Sequence, residues 1–406
     1  MVSPILGCLN PNFKKVFIHG AGISGLIAGY YLKKKGYDVT LFEKEKKAGG
    51  LINTLNSSYG LCETAANALF TNEDVWELLT ELKLEVLPAH HPLKRYLIRK
   101  NKMQSFPLSF LEIMTILPKL FRSTPKFPEM TVFDFFAPLL GEKICDEVLT
   151  TALQGIYATS CRELSFHSIF KDPIPCNYFL FFKNLLRKKN KNKATSVSFK
   201  NGMQELIKSL EKNLEKHIIY EATAPLTEDV NHIICTHAST ASEILSSHGA
   251  WSFLSPLLKA IPYIPLKTAT YITSEKIKAL EGAFGVLFSP LSHYENTGIL
   301  HNSAIFPHRV RNLNWRSYTF ISHKSTEHET QIRQDLTRLA PSFSLTNILE
   351  KKFTFWEKGI PCYNLKRQKI IEQIKKHPTT GLILFANYTN GISLRDIITH
   401  AKKIST

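Results

Sequence analysis

The sequence predicts an α/β protein: a Rossmann-like nucleotide domain built discontinuously along the chain, a mixed-sheet substrate domain and a helical insert. Three observations predict it. A strand, glycine turn, helix, strand and acid follow one another near the start, and a second glycine turn opens a helix near the end. Between them lies a Phe- and Leu-rich stretch of helical pattern.

In the first unit, residues 14–19 (KKVFIH) read as a short buried strand, followed at once by Gly20, Gly22 and Gly25 in G-x-G-x-x-G spacing. The helix begins through Ile23 and Ser24 and ends at Gly36; residues 37–42 form the next strand, and Glu43 closes it. Each glycine has a mechanical role: Gly20 permits the tight turn, Gly22 lets backbone approach a pyrophosphate, and Gly25 lets the helix lie close to the strand. Unpaired N–H groups at the helix start then face the phosphate charge. Glu43, 18 residues beyond Gly25, is placed to accept both ribose hydroxyls and would repel a 2′-phosphate, which argues against NADP. Lys44 adjoins it, and a second glycine pair, Gly49 and Gly50, follows. At the far end, residues 381–386 read as a turn into an apolar strand, Asn387 to Asn390 is polar, and Gly391, Ile392 and Ser393 open a helix. A helix start again suits an electron-rich or anionic ligand atom. Two such turns about 360 residues apart imply a nucleotide domain with substrate elements inserted between its parts.

A length of 406 residues with 44% hydrophobic content suggests two or three domains. The net charge of +17 suits anionic partners such as an acidic lipid surface or a carboxylate-bearing substrate, and also fits solvated lysine faces; no nucleic-acid motif accompanies it. Seven scattered cysteines, odd in number and without C-x-x-C spacing, point to a reducing compartment and to no metal site. The opening residues make a poor signal peptide, and no apolar stretch approaches the roughly 20 residues of a spanning helix. A nucleophile elbow and an H-E-x-x-H motif are both absent.

These motifs resemble the extended fingerprint of the flavin-containing amine oxidase superfamily, G-x-G-x-x-G, then E, then G-G-x-x-x-T. Residues 60–67, with Glu63, Ala65, Ala66 and Asn67, resemble its segment beside the isoalloxazine ring. Within the superfamily, the middle of the chain resembles the oxygen-dependent protoporphyrinogen oxidases of haem biosynthesis. The matching segments run in order: 132–141 (VFDFFAPLLG), 153–165 around Gly155, 198–203, 282–287, 303–309 (SAIFPHR), 356–363 and 387–394 (NYTNGISL). Departures are Leu51 after the glycine pair, Ala65 and Ala66 in the ring segment, a shortened excursion between Ile218 and Ile233, and one added residue before Pro290.

The resemblance implies non-covalent FAD, held by Gly20, Gly22, Ile23, Ser24, Gly25, Glu43, Lys44, Gly49, Gly50, Ala65, Ala66, Asn67, Asn387, Gly391, Ile392 and Ser393. It implies removal of six electrons from a porphyrinogen in three flavin cycles, with oxygen as acceptor and hydrogen peroxide as product. No catalytic side chain is assigned, because the flavin carries the hard step. Arg95 is expected to pair a propionate, Gly155 to contact a pyrrole and Leu287 to pack on the macrocycle. The expected domains are FAD-binding at 1–88, 196–240 and 355–406, substrate-binding at 89–100 and 241–354, and the insert at 101–195. The insert, with the basic run 187–193, suggests a cytoplasmic protein held peripherally on an anionic membrane face, with a haem-pathway enzyme as a further partner. Coproporphyrinogen as substrate, another amine-oxidase-type enzyme and a non-catalytic flavin-binding relative stay open; the second draws on Cys362–Tyr363, which resembles the covalent flavin attachment of monoamine oxidases.

Overall fold

The computed structural model describes residues 6–90, 92–191, 194–324 and 327–404. A six-stranded sheet carries the nucleotide fold, in the order Leu6–Cys8, Leu382–Leu384, Asn231–Ile234, Lys15–His19, Asp38–Glu43 and Ile218–Tyr220. All neighbours run parallel except the edge strand Leu6–Cys8. Parallel strands are covered on both faces, and alternate residues here serve each face. Val16, Ile18, Leu41 and Ile383 pack with the helices Ile23–Lys34, Gln204–Leu214 and Leu394–Ile404. Ile234, Leu382 and Leu384 pack on the other side with Ala238–Ser246, Leu254–Lys259 and Leu365–Lys375. Gln204–Leu214 shows why such segments are helical: its buried residues Leu206, Ile207, Leu210 and Leu214 fall on one stripe at near-3.6 spacing.

The second sheet has seven strands, in the order Ile348–Pro361, Tyr263–Thr273, Arg316–Ser322, Gly298–His301, Ala283–Phe288, Lys94–Arg99 and Lys102–Gln104. One face, with Tyr271, Val286, Ile299 and Phe320, packs on Ile332 and Leu336 of the helix His328–Leu339. The opposite face looks toward the nucleotide domain. Strand pairing carries this sheet past residue 354 to Pro361 and draws in residues 102–104. The segment 238–259, by contrast, stacks on the six-stranded sheet through Leu245 and Leu258.

The insert has its own aromatic core, in which Phe135 stacks on Phe166 at 4.2 Å and Phe181 and Tyr178 close around them. Its helix Val132–Leu140 begins with a capping box between Thr131 and Asp134. Buried Arg99 on the seven-stranded sheet bonds Glu112 and Glu147 of the insert and locks the two together. That pairing holds the Glu112 carboxyl down to about 2. Of the basic run 187–193, the side chains beyond Arg187 lie outside the described residues, as do residues 1–5 of the opening segment. Among the described residues no helix is long and apolar enough to cross a membrane.

Candidate active site

The first glycine turn separates what the fold requires from what it leaves open. Gly20 has φ +97, and a Cβ on Gly25 would lie 1.9 Å from the Gly20 carbonyl oxygen, so both glycines are demanded by the chain itself. Gly22 is different. Its φ of −67 and ψ of 177 suit any residue, and a Cβ there would meet only the Cα of Gly50, at 3.9 Å. Gly22 is the N-cap of Ile23–Lys34, with no side-chain cap and no acid in the first turn, so the helix presents bare N–H groups above an open backbone. Gly49 and Gly50 adopt positive φ and come alongside: Gly49 donates to the Ala21 carbonyl at 2.9 Å, and Gly22 and Gly49 bridge. Two glycine loops from separate segments thus form one small-walled anion cradle.

Buried Glu43 is fixed beside it by two amides, Ala21 N to Oε2 at 2.7 Å and Glu45 N to Oε1 at 3.0 Å. Each oxygen keeps a lone pair for a ribose hydroxyl. Lys44 points to the surface, 3.6 Å from Glu45.

Sheet register brings the C-terminal turn to this cradle. His19 pairs with Ile234, and Ile234 with Leu384, so the turns after His19 and Leu384 leave the same end of the sheet with one strand between them. The expected helix opening at Gly391 differs in detail: Asn387–Asn390 forms its own helical turn, Gly391 (φ +108) breaks it, and Leu394–Ile404 starts behind Ser393, whose Oγ caps Asp396 N at 3.1 Å. Thr389 causes the difference, since its hydroxyl accepts from Ala386 N and closes the short turn on itself. Ile392 lies between break and cap, packed on the insert. Beneath the turn, Tyr363 donates to the Asn387 carbonyl, and buried Arg367 donates Nε–H to the Tyr388 carbonyl at 2.8 Å while lying 3.8 Å over the Tyr363 ring. Burial lowers the Arg367 pKa. Cys362 sits 3.6 Å from the Thr159 hydroxyl, and burial raises its thiol pKa, which makes it a poor nucleophile.

The ring segment is anchored from two sides. Trp356 donates to the Thr64 carbonyl at 2.8 Å, and Arg309 to the Asn67 carbonyl at 3.0 Å. Arg309 also pairs with Glu63, and both side chains are almost fully buried. Thr54 Oγ1 and Met203 N complete the Glu63 shell at 2.7 and 2.9 Å. Within the 60–67 segment, Glu63 is the hub of an ion pair whose arginine also holds the Asn67 carbonyl, and Glu63 lines the adjoining cavity as well. The role of Arg309 was missed. Its only sequence signal is the arginine of the 303–309 segment, without a hint of its partner.

Ala65 and Asn67 line a cavity of about 180 Å³ between the two sheets and the insert, opposite Gly155 and Leu287. A Cβ on Gly155 would lie 3.1 Å from Leu287 Cδ2, and one on Gly298 3.0 Å, so Leu287 is held between two glycines. Arg95 is not among the lining residues: it is exposed, with its guanidinium 4.6 Å from the centre of the Phe284 ring. Strand register still puts Arg95 opposite Gly285 and Leu97 opposite Leu287, so Arg95 is on the cavity-side face, two residues beyond Leu287. The lining contains no Lys or Arg; its ionisable members are Glu63 and His323, and burial lowers the His323 pKa.

The open backbone over Gly22, the uncapped helix start and the positioned Glu43 fit a flavin dinucleotide, with Gly49, Gly50 and the 387–393 turn flanking it. The NAD(P)-binding Rossmann-like domain family matches residues 18–82. Protoporphyrinogen oxidase 2 of Arabidopsis thaliana is 24% identical over 94% of this chain and 91% of its own length. Coproporphyrinogen III oxidase of Staphylococcus aureus is 25% identical over 50% of this chain and 52% of its own. A crystal structure of a candidate protoporphyrinogen oxidase from Exiguobacterium sp. 255-15 superposes with a TM-score of 0.79 at 16% identity, covering 98% of each chain.

Fold and relatives together identify an FAD-dependent oxidoreductase. Within that class, the chain is similar to the protoporphyrinogen oxidases.

Proposed function

We propose that this chain oxidises protoporphyrinogen IX to protoporphyrin IX, with oxygen as the acceptor and one hydrogen peroxide formed for each of three two-electron steps. The observation that carries the reading is the cavity walled by Gly155 and Leu287 and floored by the anchored Ala65–Asn67 segment. When bound, FAD supplies the hydride acceptor and the route to oxygen. The chain's part is positional. Leu287 and Gly155 offer an apolar wall, and the buried ion pair of Glu63 and Arg309 holds the facing segment in place. A propionate contact by Arg95 is supported by its position on the same sheet face as Leu287. The cavity, about 180 Å³, is small beside the roughly 300–1,000 Å³ of ordinary ligand sites.

Coproporphyrinogen III is the second reading. It is favoured by a slot without a cation of its own, which does not count carboxylates, and by the Staphylococcus aureus relative. Incubating the purified yellow protein with each porphyrinogen, while following porphyrin fluorescence and peroxide, separates the two; fluorescence from neither overturns both.

The insert supports peripheral attachment to an anionic membrane. Its helix Phe110–Ile116 buries none of its residues, and Phe106, Phe110, Leu111, Met114 and Phe121 are exposed beside Lys119 and Arg122. Flotation with acidic liposomes at low and high salt tests it, and no association at low salt defeats it.

A further inference from the structure

A second cavity, of about 320 Å³, lies where His301 ends one strand of the seven-stranded sheet and Arg316 begins the next. It shares no lining residue with the first cavity, that of Gly155 and Leu287. Strand pairing explains the separation. His301 stands opposite Tyr318, so it projects on the face of Ile299 and Phe320, away from Leu300 and Thr319, which line the first cavity. Arg316 is on that same face, the diagonal neighbour of His301 at about 7–8 Å.

The polar groups here are incompletely used. His301 is almost fully buried, with its ring centre 4.6 Å from that of Tyr318. Its Nδ1 lies 3.0 Å from the Leu280 carbonyl, which can only accept, so Nδ1 carries the proton and Nε2 keeps a bare lone pair. Burial holds the ring neutral, and among the described residues Nε2 has no partner. Arg316 spends Nη1 on the Leu313 and Trp315 carbonyls, at 2.8 and 2.9 Å, while its Nη2 stays 3.9 Å from Glu281. Glu281 is held more closely by Lys276, at 2.8 Å, so these three groups amount to two cations and one carboxylate. Leu93, Val310 and Trp315 supply apolar lining, and Leu313 joins them while 76% exposed.

We propose that this cavity binds a small aromatic carboxylate carrying a hydroxyl group, with the carboxylate on Arg316, the ring against Trp315 and Val310, and the hydroxyl donating to His301 Nε2. A cavity of about 150 Å³ holds benzene, so this one has room for a ring and its polar substituents. The excess of positive charge selects an anion, the apolar lining a ring, and the bare lone pair a donor. An occupant rests on the segment 303–310 through Ser303, Pro307 and Val310. The same segment carries Arg309, which holds Glu63 and the Asn67 carbonyl on the wall of the first cavity.

Titration calorimetry of the FAD-loaded protein with benzoate, meta-hydroxybenzoate and para-hydroxybenzoate tests the site. At least one hydroxylated probe should bind about tenfold more tightly than benzoate, the gain of one hydrogen bond. Arg316→Gln should weaken all three about tenfold. His301→Phe keeps a ring against Tyr318 and should bring the hydroxylated probes level with benzoate; if that variant loses its flavin, the parent's preference and Arg316→Gln decide. Saturating protoporphyrin, the product read for the first cavity, should leave the titrations unchanged. The proposal is overturned by no binding of any probe up to millimolar concentration, by equal affinity for all three in the parent, by indifference to Arg316→Gln, or by displacement with protoporphyrin.

Discussion

Gly22→Ala adds one methyl group at the N-cap of Ile23–Lys34. The backbone already has φ −67 and ψ 177, which alanine adopts freely, and the new carbon would touch only Gly50 Cα at 3.9 Å, an ordinary contact. Alanine is a poorer N-cap than glycine, so the apo-protein should lose about 0.5 kcal/mol and remain folded. The same methyl projects into the open space over the helix amides, where a pyrophosphate must approach to within hydrogen-bonding distance. Losing one hydrogen bond to a charged group costs roughly 1.5–3 kcal/mol, or about 10- to 100-fold in FAD affinity. Gly25→Ala is the contrast: its Cβ would lie 1.9 Å from the Gly20 carbonyl, so folding itself should fail. Urea unfolding of the apo-protein and FAD titration by flavin fluorescence read the two effects separately. A Gly22→Ala protein that binds FAD as tightly as the parent would refute the placement of the pyrophosphate.

Acid should weaken the fold through histidines buried in their neutral form. Burial, with His232 alongside, brings His19 down to about 3, and burial brings His301 down to about 4. The unfolded chain therefore binds more protons than the folded one below about pH 6.5, and stability should fall as pH drops from there toward 4, by up to roughly 3 kcal/mol for each; a urea midpoint that holds steady across that window contradicts this. Arg309→Met strands Glu63 in the core and should cost about 3–5 kcal/mol, whereas Arg309→Met with Glu63→Leu should recover much of it, as read by thermal melting. Gly155→Ala brings a Cβ within 3.1 Å of Leu287 Cδ2 and shifts that side chain, so FAD affinity should hold while the porphyrinogen KM rises; Arg95→Ala should likewise raise KM, about tenfold, with kcat little changed. Equal loss of FAD from either variant would point to misfolding instead.

What could be read in the chain was what neighbours in sequence impose on each other. Gly20, Gly25 and Glu43 are legible because the turn, the helix packing and the strand-end acid all lie within one strand–helix–strand unit, and the structure fixes Glu43 through Ala21 and Glu45, both close in sequence. The parts that stayed hidden depend on distant partners. Glu63 meets Arg309 across 246 positions and Trp356 reaches Thr64 across 292, and neither residue carries a local mark of its partner. The break at Gly391 was visible, but the helical turn before it was not, because one hydroxyl, that of Thr389, decides it. A sequence states which groups exist, and long-range pairing decides which of them are left over. Arg95 follows the same logic, since its neighbours on the strand, Leu97 and Arg99, are buried in packing and in the ion pairs to the insert while its own side chain is left exposed.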